Sequence, residues 1–153
     1  EYGQATRFVE LAGQINRAMP EWVVGRVALA LNEDGRAVRG SRLLVLGLAY
    51  KPDVDDVRES PSFELLERLR ELGAEVDYND PHVPRTKKTR RHDLQMESVA
   101  ITPESLAGYD AVIVGTNHSA YDWQMITSHA RLVVDTRGAT RRVVAPKARI
   151  VGA

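Results

Sequence analysis

The sequence predicts an α/β fold: a three-layer α/β/α, Rossmann-like parallel sheet with a helical extension at its N-terminus. Two observations predict it. The continuously apolar runs LLVLGL, AVIVG and LVVD read as strands covered on both faces. Between them lie capped, amphipathic segments, and strands alternating with helices imply right-handed crossovers and a mostly parallel sheet. At 153 residues the chain suits one domain with a core of ordinary size.

Along the chain, residues 1–38 read as the helical extension and residues 39–153 as the α/β domain. Phe8, Val9, Leu11, Ala12, Ile15 and Met19 recur at helical spacing. Pro20 predicts an interruption, since it suits the first turn of a second helix. Trp22, Val23, Val27, Ala30 and Leu31 then continue the apolar stripe as core or interface, until the polar stretch from Asn32 to Gly40 stops it. The run from Arg42 to Leu48 is the first strand. Ser60 and Pro61 form a cap and a first helical position, Phe63, Leu65, Leu66 and Leu69 give that helix its apolar face, and Gly73 stops it. Residues 74–78 form a second strand. Thr102 and Pro103 repeat the cap signal before a short helix through Leu106. Residues 110–116 are a third strand, 121–129 a short helix, 131–135 a fourth strand and 148–151 a fifth.

Composition narrows the function classes. Lys+Arg and Asp+Glu are both 21, so the formal net charge is zero, which argues against nucleic acid. The basic run from Arg85 to Arg91 lacks interleaved aromatics and reads as a solvated loop. No apolar run reaches the roughly 18 residues of a membrane span, and no secretory leader precedes the first element. The cysteine count is zero, which excludes disulfides, zinc thiolates and a thiol nucleophile in this chain. A cytoplasmic setting is the expectation. A chain that starts at Glu1 is read as part of a longer protein.

Ligands of open parallel sheets bind beyond the carboxyl ends of the strands. That rule places Tyr50, Lys51, Asn117, His118 and Arg137 on one rim. Two cations, an aromatic ring and neutral polar groups suit an anionic ligand with a flat base, such as a nucleotide diphosphate. The dinucleotide fingerprint G-x-G-x-x-G fits poorly, because after Gly47 the chain reads Leu48-Ala49-Tyr50-Lys51-Pro52. The segment from Lys51 to Ser60 (KPDVDDVRES) has two readings: a solvated loop, or a loop that points Lys51 and Arg58 into the site while its acids brace them. Arg58 could instead pair with Asp55 or Glu59. Tyr50 can be half core and half stacking surface. His92 and His118, without a spaced partner, read as hydrogen-bonded structural residues rather than metal ligands, and no metal is expected. Thr116 and Asn117 read as loop braces. A phosphoacceptor role for Asp53, Asp55 or Asp56 is disfavoured, since they lie in a loop well past the strand end.

The stretch Gly47-Leu48-Ala49-Tyr50-Lys51-Pro52-Asp53-Val54-Asp55-Asp56-Val57-Arg58-Glu59-Ser60-Pro61 closely resembles a signature of the UDP-glucose/GDP-mannose dehydrogenase family. Asn79-Asp80-Pro81-His82-Val83 resembles its Asp-Pro element, Asp135-Thr136-Arg137 its late Asp-x-Arg element, and residues 8–20 its central helix with the adjoining segment. The segments 92–98, 117–122 and 134–137 look more like UDP-N-acetylglucosamine 6-dehydrogenases than UDP-glucose dehydrogenases. The resemblance implies an enzyme that oxidises a sugar C6 alcohol to a carboxylate in two NAD-linked steps through an active-site cysteine. It implies a separate NAD domain, a central helix that builds a homodimer, and a C-terminal domain that binds the UDP-sugar. Carried across by position, Lys51 and Tyr50 bind substrate, Arg137 binds substrate, and Arg58 reaches NAD. No catalytic residue is carried across: without cysteine or G-x-G-x-x-G the isolated chain is expected to be inactive, a binding half-site. The alternatives are a non-catalytic dimerisation module of the same enzyme, or UDP-glucose or UDP-N-acetylmannosamine as the substrate.

Overall fold

The computed structural model describes residues 3–89 and 91–153, so Glu1, Tyr2 and Arg90 of the basic run lie outside the described residues. A five-stranded, fully parallel sheet forms its centre: β1 (Arg42–Leu46), β2 (Glu75–Asn79), β3 (Ala111–Val114), β4 (Leu132–Asp135) and β5 (Arg149–Gly152). Their order in the sheet is β2-β1-β3-β4-β5. Helices α1 (Gly3–Glu33), α2 (Pro61–Glu71), α3 (Pro103–Ala107) and α4 (Trp123–His129) complete the fold.

The strand period of two sorts the side chains to both faces. Leu43 and Val45 of β1, Val76 and Tyr78 of β2 and Ile113 of β3 pack with α1 and α2. Leu44, Leu46, Val112, Val114 and Val133 pack with Leu106 of α3 and Ile126 of α4. The result is the expected three layers.

The caps lie where residue type demands. Ser60 Oγ accepts from Ser62 N at 3.3 Å with Pro61 following, and Thr102 and Ser105 close a reciprocal capping box at 3.1 and 2.9 Å. Asp122 caps α4 by accepting from Met125 N.

The interruption expected at Pro20 is not there: α1 is one helix running through it. A proline in a helix interior loses one hydrogen bond, a cost of about 3 kcal/mol. Val23, Val27, Ala30 and Leu31 are buried on the sheet just beyond it. The valines and the leucine each contribute about 1.5–3 kcal/mol, enough to hold the helix together. The two halves of α1 differ. Phe8 (75% exposed), Val9, Leu11 and Ile15 are bare, as is Trp22, whereas the end of the helix is clasped to β5. Arg26 donates twice to Gly152 O, and Arg149 reaches Glu33, Asp34 and Ala30 O.

Candidate functional site

With the strand order β2-β1-β3, the direction of chain progression reverses between β1 and β3, and their exits define the switch point where ligands of such sheets collect. The two exits nearly touch. A Cβ on Gly47 would lie 2.5 Å from Thr116 O, and one on Gly115 would lie 2.6 Å from Gly47 O and 2.7 Å from Ser62 Oγ. Gly47 also holds φ of +87°, which glycine alone adopts without strain. Thr116 then stitches the loops together by donating from Oγ1 to Ala49 O at 2.6 Å, so it braces the loop as expected.

Asp80, at the exit of β2, governs the site from below. Its side chain is fully buried, and five donors converge on it: Leu48 N at 2.7 Å, Ala49 N at 3.0 Å, His82 N at 2.8 Å, Val83 N at 3.1 Å and His118 Nε2 at 3.0 Å. The backbone N–H groups of the β1 exit are those that a dinucleotide-binding turn would offer to a pyrophosphate. Here a carboxylate has taken them. An anion must therefore be met by side chains.

Those side chains stand on the rim. Tyr50 is 44% exposed, and its N–H donates to Asp56 O, folding the loop back on itself. Lys51 is exposed and makes no hydrogen bond or ion pair among the described residues. Arg137 leans from the β4 exit onto β3, donating from Nε to Gly115 O at 2.8 Å, and no described residue accepts from its two terminal nitrogens. The Tyr50–Lys51 loop follows the β1 exit and Arg137 the β4 exit, on either side of β3, and those two strands lie about 10 Å apart by two strand spacings. Arg137 and Arg141 line a cleft of about 540 Å³ over β4 and β5, which Tyr50 and Lys51 do not line. Arg58 stands apart. It forms a two-pronged pair with Asp56 at 2.9 and 2.8 Å, not with Asp55 or Glu59, and holds that carboxyl at about 2. Glu59 lies instead 3.8 Å from Arg91.

Asp135 orders the Arg137 turn. Burial pushes its carboxyl up, but Thr140 N and Oγ1, Arg137 N and Ala139 N all donate to it and hold it below its ordinary value of 3.8. A depressed folded value means stability present above the ordinary aspartate range and lost as pH falls through the depressed value. Asp135→Asn turns an amide donor toward the Thr140 donors and is expected to cost about 1–3 kcal/mol at neutral pH. Thermal melts should show the gap from the unsubstituted chain narrowing below pH 4 or so. A gap constant with pH would refute this account.

The histidines behave structurally. His92 lies 2.8 Å from Glu67 and stacks on Phe63, and His118 is buried beside Asp80. Asp53, His82 and His118 do place three possible ligand atoms within 4.8 Å of one another. Both ring nitrogens of His118 are already engaged, Nδ1 by Asp53 N at 2.9 Å and Nε2 by Asp80. A cation would have to break that bond to Asp53, so the cluster does not fit a metal. In the described part of the basic run Arg85 lies exposed on Glu97 and Lys88 on Asp93, while Thr86 is buried and bonded to Met96.

Sequence reasoning marked Asp80 and Asp135 only by resemblance and passed over Arg141. The signal for Asp80 was an Asp-Pro pair directly after a buried strand; Arg141 left none.

A family model described as "UDP-glucose/GDP-mannose dehydrogenase family, UDP binding domain" matches residues 44–142. The UDP-glucose 6-dehydrogenase of Rickettsia bellii is 32% identical over 140 residues, covering 86% of this chain and 31% of the relative. The UDP-N-acetyl-D-mannosamine dehydrogenase of Pyrococcus horikoshii is 31% identical over 134 residues, 84% of this chain and 29% of the relative. A solved structure of UDP-D-ManNAc dehydrogenase from Pyrococcus horikoshii superposes with a TM-score of 0.72 at 26% identity, covering 92% of this chain and 32% of that one. The chain spans about a third of the length of the curated relatives it matches.

Proposed function

Because the chain belongs to the UDP-glucose/GDP-mannose dehydrogenase family, we propose that it is the UDP-sugar-binding part of an NAD-dependent nucleotide-sugar 6-dehydrogenase. The observation that carries this reading is the division of labour at the switch point. Asp80 consumes the backbone donors of the β1 exit, while neither the Lys51 side chain nor the Arg137 guanidinium forms an ion pair with a described residue above it. Two cations across one strand end suit a diphosphate, with Arg137 offering a planar fork and Lys51 a mobile point charge. Tyr50 adds a half-exposed ring beside Lys51, fit to lie against a uracil or a ribose.

This sheet does not fit NAD as its principal ligand, since its first turn is closed by Asp80 and Pro52. Arg58 would meet the cofactor at its edge, after exchanging Asp56 for a phosphate. The oxidation of the sugar alcohol requires a nucleophile and a hydride acceptor that this chain does not supply, so binding is the activity to test. The substrate is a UDP-sugar. The relatives compared act by name on UDP-glucose or UDP-N-acetylmannosamine, and the segments 92–98, 117–122 and 134–137 support an N-acetylhexosamine, with N-acetylglucosamine as the specific proposal. The bare apolar face of α1 supports a homodimer built along that helix.

Calorimetry tests the reading directly. UDP should bind the chain, and Lys51→Ala should weaken binding by about ten- to a hundredfold, the usual loss for a charged contact to phosphate. A folded chain that releases no heat with UDP would refute autonomous binding, and an unchanged affinity in Lys51→Ala would remove Lys51 from the site.

A further inference from the structure

We propose that His118, held by Asp80, is a positioning residue that sets the aim of Lys51; the inference rests on the UDP site proposed for this rim. His118 is fully buried at the exit of β3, and its two ring nitrogens do opposite work. Nδ1 accepts the backbone N–H of Asp53 at 2.9 Å, and Nε2 lies 3.0 Å from Asp80 Oδ2. A backbone N–H can only donate, so Nδ1 is the bare nitrogen and the ring proton sits on Nε2, where Asp80 accepts it. The ring is therefore a bridge of one tautomer.

The bridge grips the loop that carries Lys51. On one side of that residue, Asp80 holds Leu48 N and Ala49 N. On the other, His118 holds Asp53 N, and Asp53 Oδ1 returns to Ser119 N and Oγ at 2.8 and 2.9 Å. Between the two grips Tyr50 N donates to Asp56 O at 2.8 Å, and the Lys51 side chain makes no hydrogen bond with a described residue. Asp53 has φ of +61°, a left-handed conformation that aspartate tolerates better than most residues, and its bonds to His118 and Ser119 fix it there. His82 and Tyr121 lie against the ring, with centroids 4.9 and 5.7 Å away, and leave it no room to swing. His118 does not face the rim. It acts through Lys51.

The test is a double-mutant cycle on the 153-residue chain, with UDP titrated into the unsubstituted protein, Lys51→Ala, His118→Ala and the double variant. His118→Ala is expected to weaken UDP binding about tenfold, while the double variant binds within about twofold of Lys51→Ala alone. Losses that multiply in the double variant would show independent damage and overturn the proposal. His118→Asn keeps an acceptor toward Asp53 and a donor toward Asp80, and should recover affinity to within about threefold of the unsubstituted chain. No recovery in a folded His118→Asn counts against the bridge. Ring ¹⁵N spectra should show the proton on Nε2 of His118; a proton on Nδ1 overturns the assignment. If the unsubstituted chain binds no UDP, the reading of the site fails but the grip does not. The grip then stands or falls on that spectrum and on faster hydrogen exchange at Asp53 N in His118→Asn and His118→Ala.

Discussion

Replacing Asp80 by alanine should remove on the order of 4 kcal/mol of folding stability, a large part of the 5–15 kcal/mol typical of a domain. The cause is not the loss of one side chain but the fate of five donors. Leu48 N, Ala49 N, His82 N, Val83 N and His118 Nε2 all point at a carboxylate with no access to solvent. Each buried donor left alone costs about 1–3 kcal/mol, less whatever water enters the space. Asp80→Asn should recover only part of the loss. Its oxygen can serve His82 and Val83, but its amide then turns donors toward Leu48, Ala49 and His118. Denaturant unfolding of the three proteins gives the order: unsubstituted, asparagine, alanine. A loss under about 1 kcal/mol for the alanine variant would mean that the donors find water easily.

Gly47→Ala is expected to be nearly as severe, at about 2–4 kcal/mol, or a fall in Tm of roughly 5–15 °C. Two penalties coincide there. The residue has φ of +87°, and an added Cβ would meet Thr116 at 2.5 Å from O, 2.6 Å from Cβ and 2.7 Å from N. Backbone cannot rotate away as a flexible side chain can. Relief requires moving the β3 exit, which would break the Thr116 bond to Ala49 O and loosen the loop ahead of Lys51. Gly25→Ala supplies the opposite control, since nothing lies within 4 Å of its Cβ position and it sits inside α1. It should raise stability, and with it Tm, by the helix propensity of alanine over glycine, about 0.8–1 kcal/mol. Equal effects from the two substitutions would refute the close-approach argument.

How much of the fold was legible in the sequence depends on the range of each interaction. The strands could be read because a strand buried on both faces is apolar at every position, as LVVD nearly is. Caps were legible at Ser60 and Thr102 because each bonds within three residues of itself; Asp122 caps just as locally, yet the sequence reading placed it inside a helix over 121–129. Pro20 misled for the same reason: its local effect favours a break, whereas Val27 and Leu31 fasten the helix through contacts with distant strands. The strand-end rule brought out Tyr50, Lys51 and Arg137 beside the β1 and β4 exits, but it also set His118 on the rim, and the structure buries that ring. The wiring of the rim was not legible, because Asp80 meets partners 31, 32 and 38 residues away. The partner of Arg58 was also out of reach. Asp55, Asp56 and Glu59 are all near neighbours, and only the turn geometry turns Asp56 toward the guanidinium.

The clasp between α1 and β5 reaches further than stability. Ile150, Gly152 and Ala153 form one wall of the cleft that Arg137 and Arg141 line. Gly152 is also the residue whose carbonyl Arg26 holds from the helix, and Arg149, at the start of the same strand, is moored to Glu33 and Asp34. A helix of 31 residues is a stiff beam of about 46 Å. Tilting its outer half would load those anchors and strain the wall of the cleft that Arg137 and Arg141 line. A force applied along α1 thus has a mechanical route to Arg137, the cation proposed to meet a phosphate.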